Sequence, residues 1–191
     1  MSASPRWALF LDRDGVLIQN RPDYVRTLEQ VVFIPGAPEA IAVFNQNFPG
    51  VPVIVASNQA GVGRGLIAPE TVAAINTAIQ ARVQAAGGWI DAFYICPHRV
   101  DEDCPCRKPK PGLLRQAAVE HFLQLSASVM IGDSATDVLA AQAAGAQPLF
   151  VQTGLAERLI AEQTYAEQLG AGIYADLPAA IQFLLTQRAL A

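Results

Sequence analysis

The sequence predicts an α/β fold, a three-layer Rossmann-like domain built around a mostly parallel sheet. Three observations predict it. Short apolar runs alternate with longer helical patterns along most of the chain. The runs "VPVIVAS" (51–57) and "SVMIG" (128–132) are almost continuously apolar, as strands covered on both faces are. Polar residues able to do chemistry stand directly after these runs, at the rim where open parallel sheets bind ligands.

Taken in order, "WALFL" (7–11) reads as a first strand ending at "DRDG". Residues 36–47 read as a helix with Ile41 and Phe44 on one face. Residues 51–57 give the second strand. Residues 68–88 give a long helix, with Pro69 near its first turn and Gly87-Gly88 at its end. A third strand (90–96) runs into a loop holding all three cysteines. A helix (112–125), a fourth strand (128–132), a helix closed by Gly145 (135–145) and a fifth strand (147–152) follow. Glu157, Arg158 and Glu162 read as a solvated helix face, 172–175 as a sixth strand and 177–190 as a final helix. With no repeat, low-complexity block or linker, residues 1–191 are expected to form one domain.

Composition limits the partners. Net charge is -4, with charged residues at 16%, so the clustered Lys and Arg of a nucleic-acid surface are missing and no nucleic-acid partner is expected. No apolar run approaches the roughly 18 residues of a membrane span, and 7–11 is too short for a signal-peptide core. A soluble, cytoplasmic monomer without a membrane partner is the expectation. Three cysteines, an odd number packed into 96–106, do not suit a secreted disulfide framework.

Four strand ends carry distinctive residues: Asp12 and Asp14, then Ser57 and Asn58, then the Cys/His loop with Arg107 and Lys108, then Asp133 and Asp137. In a parallel sheet these share one rim. Carboxylates with a lysine and a hydroxyl suit Mg²⁺ and phosphate, because a hard cation takes oxygen ligands while Lys and Ser donate to phosphoryl oxygens. Asp12 and Asp14 are two positions apart, so an extended segment points both to one side, and Gly15 lets the chain turn. One carboxylate can attack phosphorus while the other manages the proton of the leaving oxygen. Cys96, His98, Cys104 and Cys106 supply four ligands of the kind tetrahedral Zn²⁺ takes. A disulfide would leave one cysteine unpaired, and a reactive thiol would need His98 as its base. Structural zinc, binding a loop at 96–106, is the favoured reading.

"FLDRDGVL", "IVASNQAG", "CRKPKPG" and "IGDSATD" together resemble the four motifs of the haloacid dehalogenase superfamily of phosphatases, in order, over residues 7 to about 153. Within it, "DRDGV", "SNQAGVGRG", the C-x-H…C-x-C loop and "CRKPKPG" resemble the D-glycero-D-manno-heptose 1,7-bisphosphate phosphatases and related histidinol-phosphatase domains, which carry only a minimal cap. The resemblance implies Asp12 as nucleophile and Asp14 as proton carrier. It implies Mg²⁺ on Asp12, the Asp14 carbonyl and Asp133, with Ser57 and Lys108 on the phosphoryl oxygens and Arg107 on substrate. Asp137 is either a further metal group or a helix N-terminal carboxylate favoured by the dipole. Asn58 either buttresses the loop or meets substrate, and Arg64 in "GVGRG" is a further substrate candidate. The implied substrate is a small phosphorylated metabolite, first a heptose bisphosphate, with histidinol phosphate as the alternative. A non-catalytic zinc-stabilised binding module stands as the reading from another class. Departures from the family pattern fall at Ile18, at Pro22-Asp23 before Tyr24, and at Ser134, where many relatives have Lys.

Overall fold

The structure, a computed structural model, describes residues 6–189. Among these, the strands β1 (Leu9–Leu11), β2 (Val53–Asn58), β3 (Ala92–Cys96), β4 (Val129–Gly132), β5 (Gln147–Val151) and β6 (Gly172–Tyr174) form one sheet. Their order is β3-β2-β1-β4-β5-β6, and every pairing is parallel, so the sheet expected to be mostly parallel is wholly so. The helices are α1 (Ala37–Asn47), α2 (Ala60–Gly63), α3 (Pro69–Ala85), α4 (Gly112–His121), α5 (Ala135–Ala144), α6 (Leu159–Gln168) and α7 (Leu177–Ala189).

The period of two along a strand sorts the central side chains into two cores. Leu9, Leu11, Val53, Val55, Val129 and Ile131 join Ile41 and Phe44 of α1, Ile75 and Ile79 of α3, and Leu184 of α7. Phe10, Ile54, Ala56 and Met130 point the other way, onto Leu113, Leu114 and Ala117 of α4 and Ala141 of α5. That two-sided burial is why these runs are continuously apolar. Each large side chain so buried contributes about 1.5–3 kcal/mol, so area fixes the helices against the sheet more than their own propensity does. Trp7 completes one end, edge-on to Phe44 and Phe48 at 5.8 and 5.5 Å between ring centroids. Trp89 stays half exposed.

Element limits shift for local reasons. Strand β2 begins at Val53, because Pro52 has no N–H to donate; the Val53 N–H goes instead to Asp91 Oδ2 at 2.8 Å. Helix α3 stops at Ala85, ahead of Gly87 at φ +86°. Helix α4, expected to reach 125, ends at His121 because Phe122 turns left-handed (φ +55°), and a separate turn occupies Leu125–Ala127. Helix α2 within the glycine-rich stretch was not expected. Helix α6 has only Ala166 buried, so little periodicity marks its limits. Residue 190 of the expected final helix lies outside the described residues.

Strand order reverses between β1 and β4, and a crevice opens beyond the carboxyl ends of such a pair. Asp12 follows β1 and Asp133 follows β4. Residues 12–36 fold back through isolated bridges of Ile18 with Asp14 and Phe33, so the crevice is roofed by loops.

Candidate active site

Asp12 is tied to the neighbouring strand by its own N–H, which donates to Ile131 O at 2.9 Å. Its Oδ1 accepts the Arg13 N–H at 2.7 Å and lies 3.0 Å from Lys108 Nζ. Lys108 is buried, donates to Ala56 O at 2.8 Å, and stands 2.6 Å from Asp137 Oδ1. Burial alone would lower the ammonium's pKa, but the charges of Asp12 and Asp137 outweigh it and hold Lys108 above the ordinary lysine value. Asn58, at the end of β2, grips the Lys108 main chain twice. Its Nδ2 donates to Lys108 O and its Oδ1 accepts the Lys108 N–H, both at 3.0 Å. Of the two expectations for Asn58, the geometry displays the buttress.

Asp133 lies between two glycines. A Cβ on Gly15, which sits at φ +86°, would fall 2.1 Å from Asp133 Oδ2, and one on Gly154 would fall 2.7 Å from the same atom. Asn20 Nδ2 donates to that oxygen at 3.2 Å. Burial, then the charges of Asp12 and Asp137, push the Asp133 carboxyl well above the usual carboxylate range. Asp137 Oδ2 accepts the Ser134 N–H (3.1 Å) and Oγ–H (2.7 Å) in the first turn of α5. Its Oδ1 is also buried beside Lys108 yet accepts no well-directed hydrogen bond.

Asp12, Asp133 and Asp137 each bring one oxygen within 4.8 Å of the others. With Asp14 added, four carboxylates face two buried cations, Arg13 and Lys108. Fully ionised, the four carboxylates carry two more charges than the two cations balance, and a divalent cation with oxygen ligands would fit that excess.

Asp14 is held by Arg13 and Gln59. Arg13 Nε and Nη2 donate to Oδ2 at 3.1 and 2.9 Å, Nη2 also reaches Oδ1 at 3.1 Å, and Gln59 Nε2 donates to Oδ2 at 2.6 Å. Burial raises the Asp14 carboxyl above its usual range; Arg13 opposes this and Asp12 adds to it. Gln59 Nε2 also donates to Ser57 Oγ at 3.1 Å, so the Ser57 proton is left for another acceptor.

These groups open onto a cleft of about 440 Å³. Asp12, Asp14, Ser57, Asn58, Arg64, Arg107, Lys108 and Asp133 all line it, while Asp137 lies buried behind Lys108. Arg21 and Arg158 join Arg64 and Arg107 on its walls. Arg64 lies over the Tyr24 ring, 5.9 Å from its centroid, and Tyr24 itself adopts φ +70°. Arg107 Nη1 donates to His98 O at 3.3 Å.

Cys96, His98, Cys104 and Cys106 form a separate cluster beside the cleft. Their sulfurs and His98 Nδ1 lie 3.2–3.6 Å apart across five pairs. A tetrahedron with metal–sulfur bonds of about 2.3 Å has edges of about 3.8 Å, close to this spacing. The set fits zinc, which Nδ1 of His98 would help to hold. Burial pushes the Cys96 thiol up to about 12, and Cys106 beside it adds to this. A cation would reverse that by binding the thiolate. His121 lies outside both clusters, edge-on to Tyr94 at 6.2 Å.

The residues that sequence reasoning missed are Arg13, Asn20, Gln59, Arg21 and Arg158. Gln59 was within reach, adjoining Ser57-Asn58 at a strand end. Arg13 reads as the spacer of "DRD", and Arg158 as solvent-facing charge.

A HAD-hydrolase-like family model matches residues 105–180. The D-glycero-beta-D-manno-heptose-1,7-bisphosphate 7-phosphatase of Pseudomonas putida is 43% identical over 80% of this chain and 86% of its own. The corresponding alpha-heptose enzyme of Mycobacterium tuberculosis is 39% identical over 71% of this chain and 72% of its own. The crystal structure of D,D-heptose 1,7-bisphosphate phosphatase from B. bronchiseptica, complexed with magnesium and phosphate, superposes with a TM-score of 0.86. It is 36% identical and covers 94% of this chain and 99% of that one. With these identities across most of its length, and with the motif residues gathered in one crevice, the chain belongs to the D-glycero-D-manno-heptose-1,7-bisphosphate 7-phosphatase family of HAD-like hydrolases.

Proposed function

We propose that this protein is a Mg²⁺-dependent phosphatase that removes the 7-phosphate of D-glycero-D-manno-heptose 1,7-bisphosphate through a phosphorylated Asp12. One observation carries the reading. Asp12 sits at the switch point of the sheet beside a buried Lys108, in a carboxylate cluster that, fully ionised, is short of two positive charges. The relatives' activity supplies the substrate.

An Asp12 oxygen bonds to phosphorus as the bond from phosphorus to the sugar oxygen breaks. The electron pair leaves with that oxygen, and Asp14 supplies its proton. Water then attacks the phosphoryl group and gives its proton to Asp14, the Asp12–phosphorus bond breaks, and inorganic phosphate departs. Ser57 donates its free proton to a phosphoryl oxygen, and Lys108 balances the charge that moves there. Mg²⁺ on Asp12, the Asp14 carbonyl and Asp133, with Asp137 close behind, would offset the repulsion between an anionic nucleophile and an anionic ester.

Arg107 and Arg64 are assigned to the distal phosphate and hydroxyls, an assignment supported by their lining the same cleft. Zinc on Cys96, His98, Cys104 and Cys106 would hold loop 96–106, and all four ligands being protein leaves it no open position for chemistry. Among the described residues no helix is long and apolar enough to cross a membrane. We read residues 1–191 as one catalytic domain acting as a cytoplasmic monomer; the unpaired thiols of Cys96, Cys104 and Cys106 suit a reducing compartment.

The test is phosphate release with Mg²⁺ from both anomers of the heptose bisphosphate and from histidinol phosphate, with Asp12→Asn alongside. Faster turnover of either heptose bisphosphate, abolished in Asp12→Asn, is expected. Preference for histidinol phosphate overturns the substrate, and full activity of Asp12→Asn overturns the nucleophile.

A further inference from the structure

Arg13 is among the largest side chains buried without any exposure, and the chemistry above gives it no part. Its neighbours place it at the centre of a chain of polar contacts. Nη1 donates to Asn76 Oδ1 of α3 at 3.4 Å, while Nε and Nη2 fork onto Asp14. Gln59 closes the other side, linking Asp14 Oδ2 to Ser57 Oγ. The line therefore runs from helix α3 through Asn76, Arg13, Asp14 and Gln59 to Ser57.

The donors are distributed unevenly over the Asp14 carboxyl. Oδ2 receives three within 3.1 Å, and Oδ1 receives one. A saturated oxygen has no direction left for a proton, so Oδ1 is the oxygen with capacity to carry it. Only a planar guanidinium can make this side-on grip with two nitrogens while a third reaches Asn76; an ammonium is a point charge. Stability alone gives little reason to keep such a group. Buried ion pairs replaced by apolar groups of similar volume are often neutral or stabilising.

We propose that Arg13, steadied by Asn76 and aided by Gln59, is a positioning residue that fixes the Asp14 carboxyl with Oδ1 turned to the leaving oxygen. This rests on the reading of Asp14 as the proton carrier. During ester cleavage the Oδ1 proton goes to the sugar oxygen, which takes the electron pair of the breaking bond to phosphorus. During hydrolysis a water proton returns to Oδ1 as the water oxygen bonds to phosphorus.

The experiment compares Arg13→Met, Arg13→Lys and Asn76→Ala with wild type and Asp14→Asn on two esters. One is the heptose bisphosphate, whose alkoxide needs a proton. The other is p-nitrophenyl phosphate, whose nitrophenolate leaves without one. Misplaced by Arg13→Met, Asp14 should cost about 100-fold in kcat on the sugar ester, with KM within about threefold. On the aryl ester, formation of phospho-Asp12 stays fast and its hydrolysis slows, so a burst of about one nitrophenolate per site should appear. Arg13→Lys and Asn76→Ala should show the same pattern more weakly, and they decide the matter if Arg13→Met does not fold. Equal losses on both esters without a burst, or unchanged kinetics in folded variants, overturn the inference. Full activity in Asp14→Asn would overturn the underlying role of Asp14 instead.

Discussion

Gly15→Ala separates geometry from chemistry, because it alters no functional group. Two effects follow from the structure. An alanine held at φ +86° costs about 1–2 kcal/mol of backbone strain. Its Cβ would also fall 2.1 Å from Asp133 Oδ2, and ordinary contact requires Asp133 to retreat by about 1 Å. Retreat is restricted, since the backbone of Gly154 lies against the same carboxylate and Asn20 holds its oxygen. The strain alone should lower the melting temperature by about 2–8 °C, leaving a folded protein. The displaced carboxylate should cost far more in function, about 100-fold in kcat for a 1 Å misplacement. The assay is phosphate release over a Mg²⁺ titration, alongside thermal melts. A rise in the Mg²⁺ needed for half-activity should accompany the lost kcat. Turnover by Gly15→Ala within threefold of wild type, at the same Mg²⁺, would refute the argument that Asp133 is cradled by absent side chains.

Asn58→Ala removes both contacts to the Lys108 main chain, each a hydrogen bond of about 1 kcal/mol, so kcat should fall about tenfold or more. A rise in KM at unchanged kcat would instead assign Asn58 to substrate binding. Cys104→Ser is expected to retain less zinc than wild type, measured by elemental analysis, and to melt at a lower temperature, with kcat reduced because Lys108 follows Cys106 by two residues. Unchanged zinc content and melting would remove zinc from this loop.

The apolar runs made the sheet legible, since burial on both faces leaves no polar alternation to obscure a strand. Asp12, Ser57, Asn58 and Asp133 were legible for the same reason: each stands where a run ends, whereas Lys108 lies twelve residues beyond β3 and was legible through "CRKPKPG". What escaped was whatever depends on distance through space. Arg13 alternates away from its aspartates in an extended reading, yet its long side chain curls back onto Asp14. The end of α4 at Phe122 escaped because a phenylalanine at φ +55° carries none of the signal a glycine would. Arg158 is exposed, as its charge suggested, but only the fold shows that it stands on the cleft wall. The family pattern's Asn is replaced by Ile18, which is buried, and Asn20 reaches Asp133 two residues later.

The pairing of Leu9 with Val129 has a consequence for how the molecule is made. Strand β1 leaves the ribosome well ahead of β4, and the strand that covers its second edge follows on the order of ten seconds later. Until then Leu9, Phe10 and Leu11 present an open, wholly apolar edge, the kind that recruits other nascent chains. Asp12 follows directly and Arg13 is the next residue, so charge adjoins the exposed segment from the outset. The same residues that later serve the crevice thereby act first as gatekeepers against association. An amino-terminal fragment ending before β4 would keep the edge, lack the crevice, and need a chaperone more than a substrate.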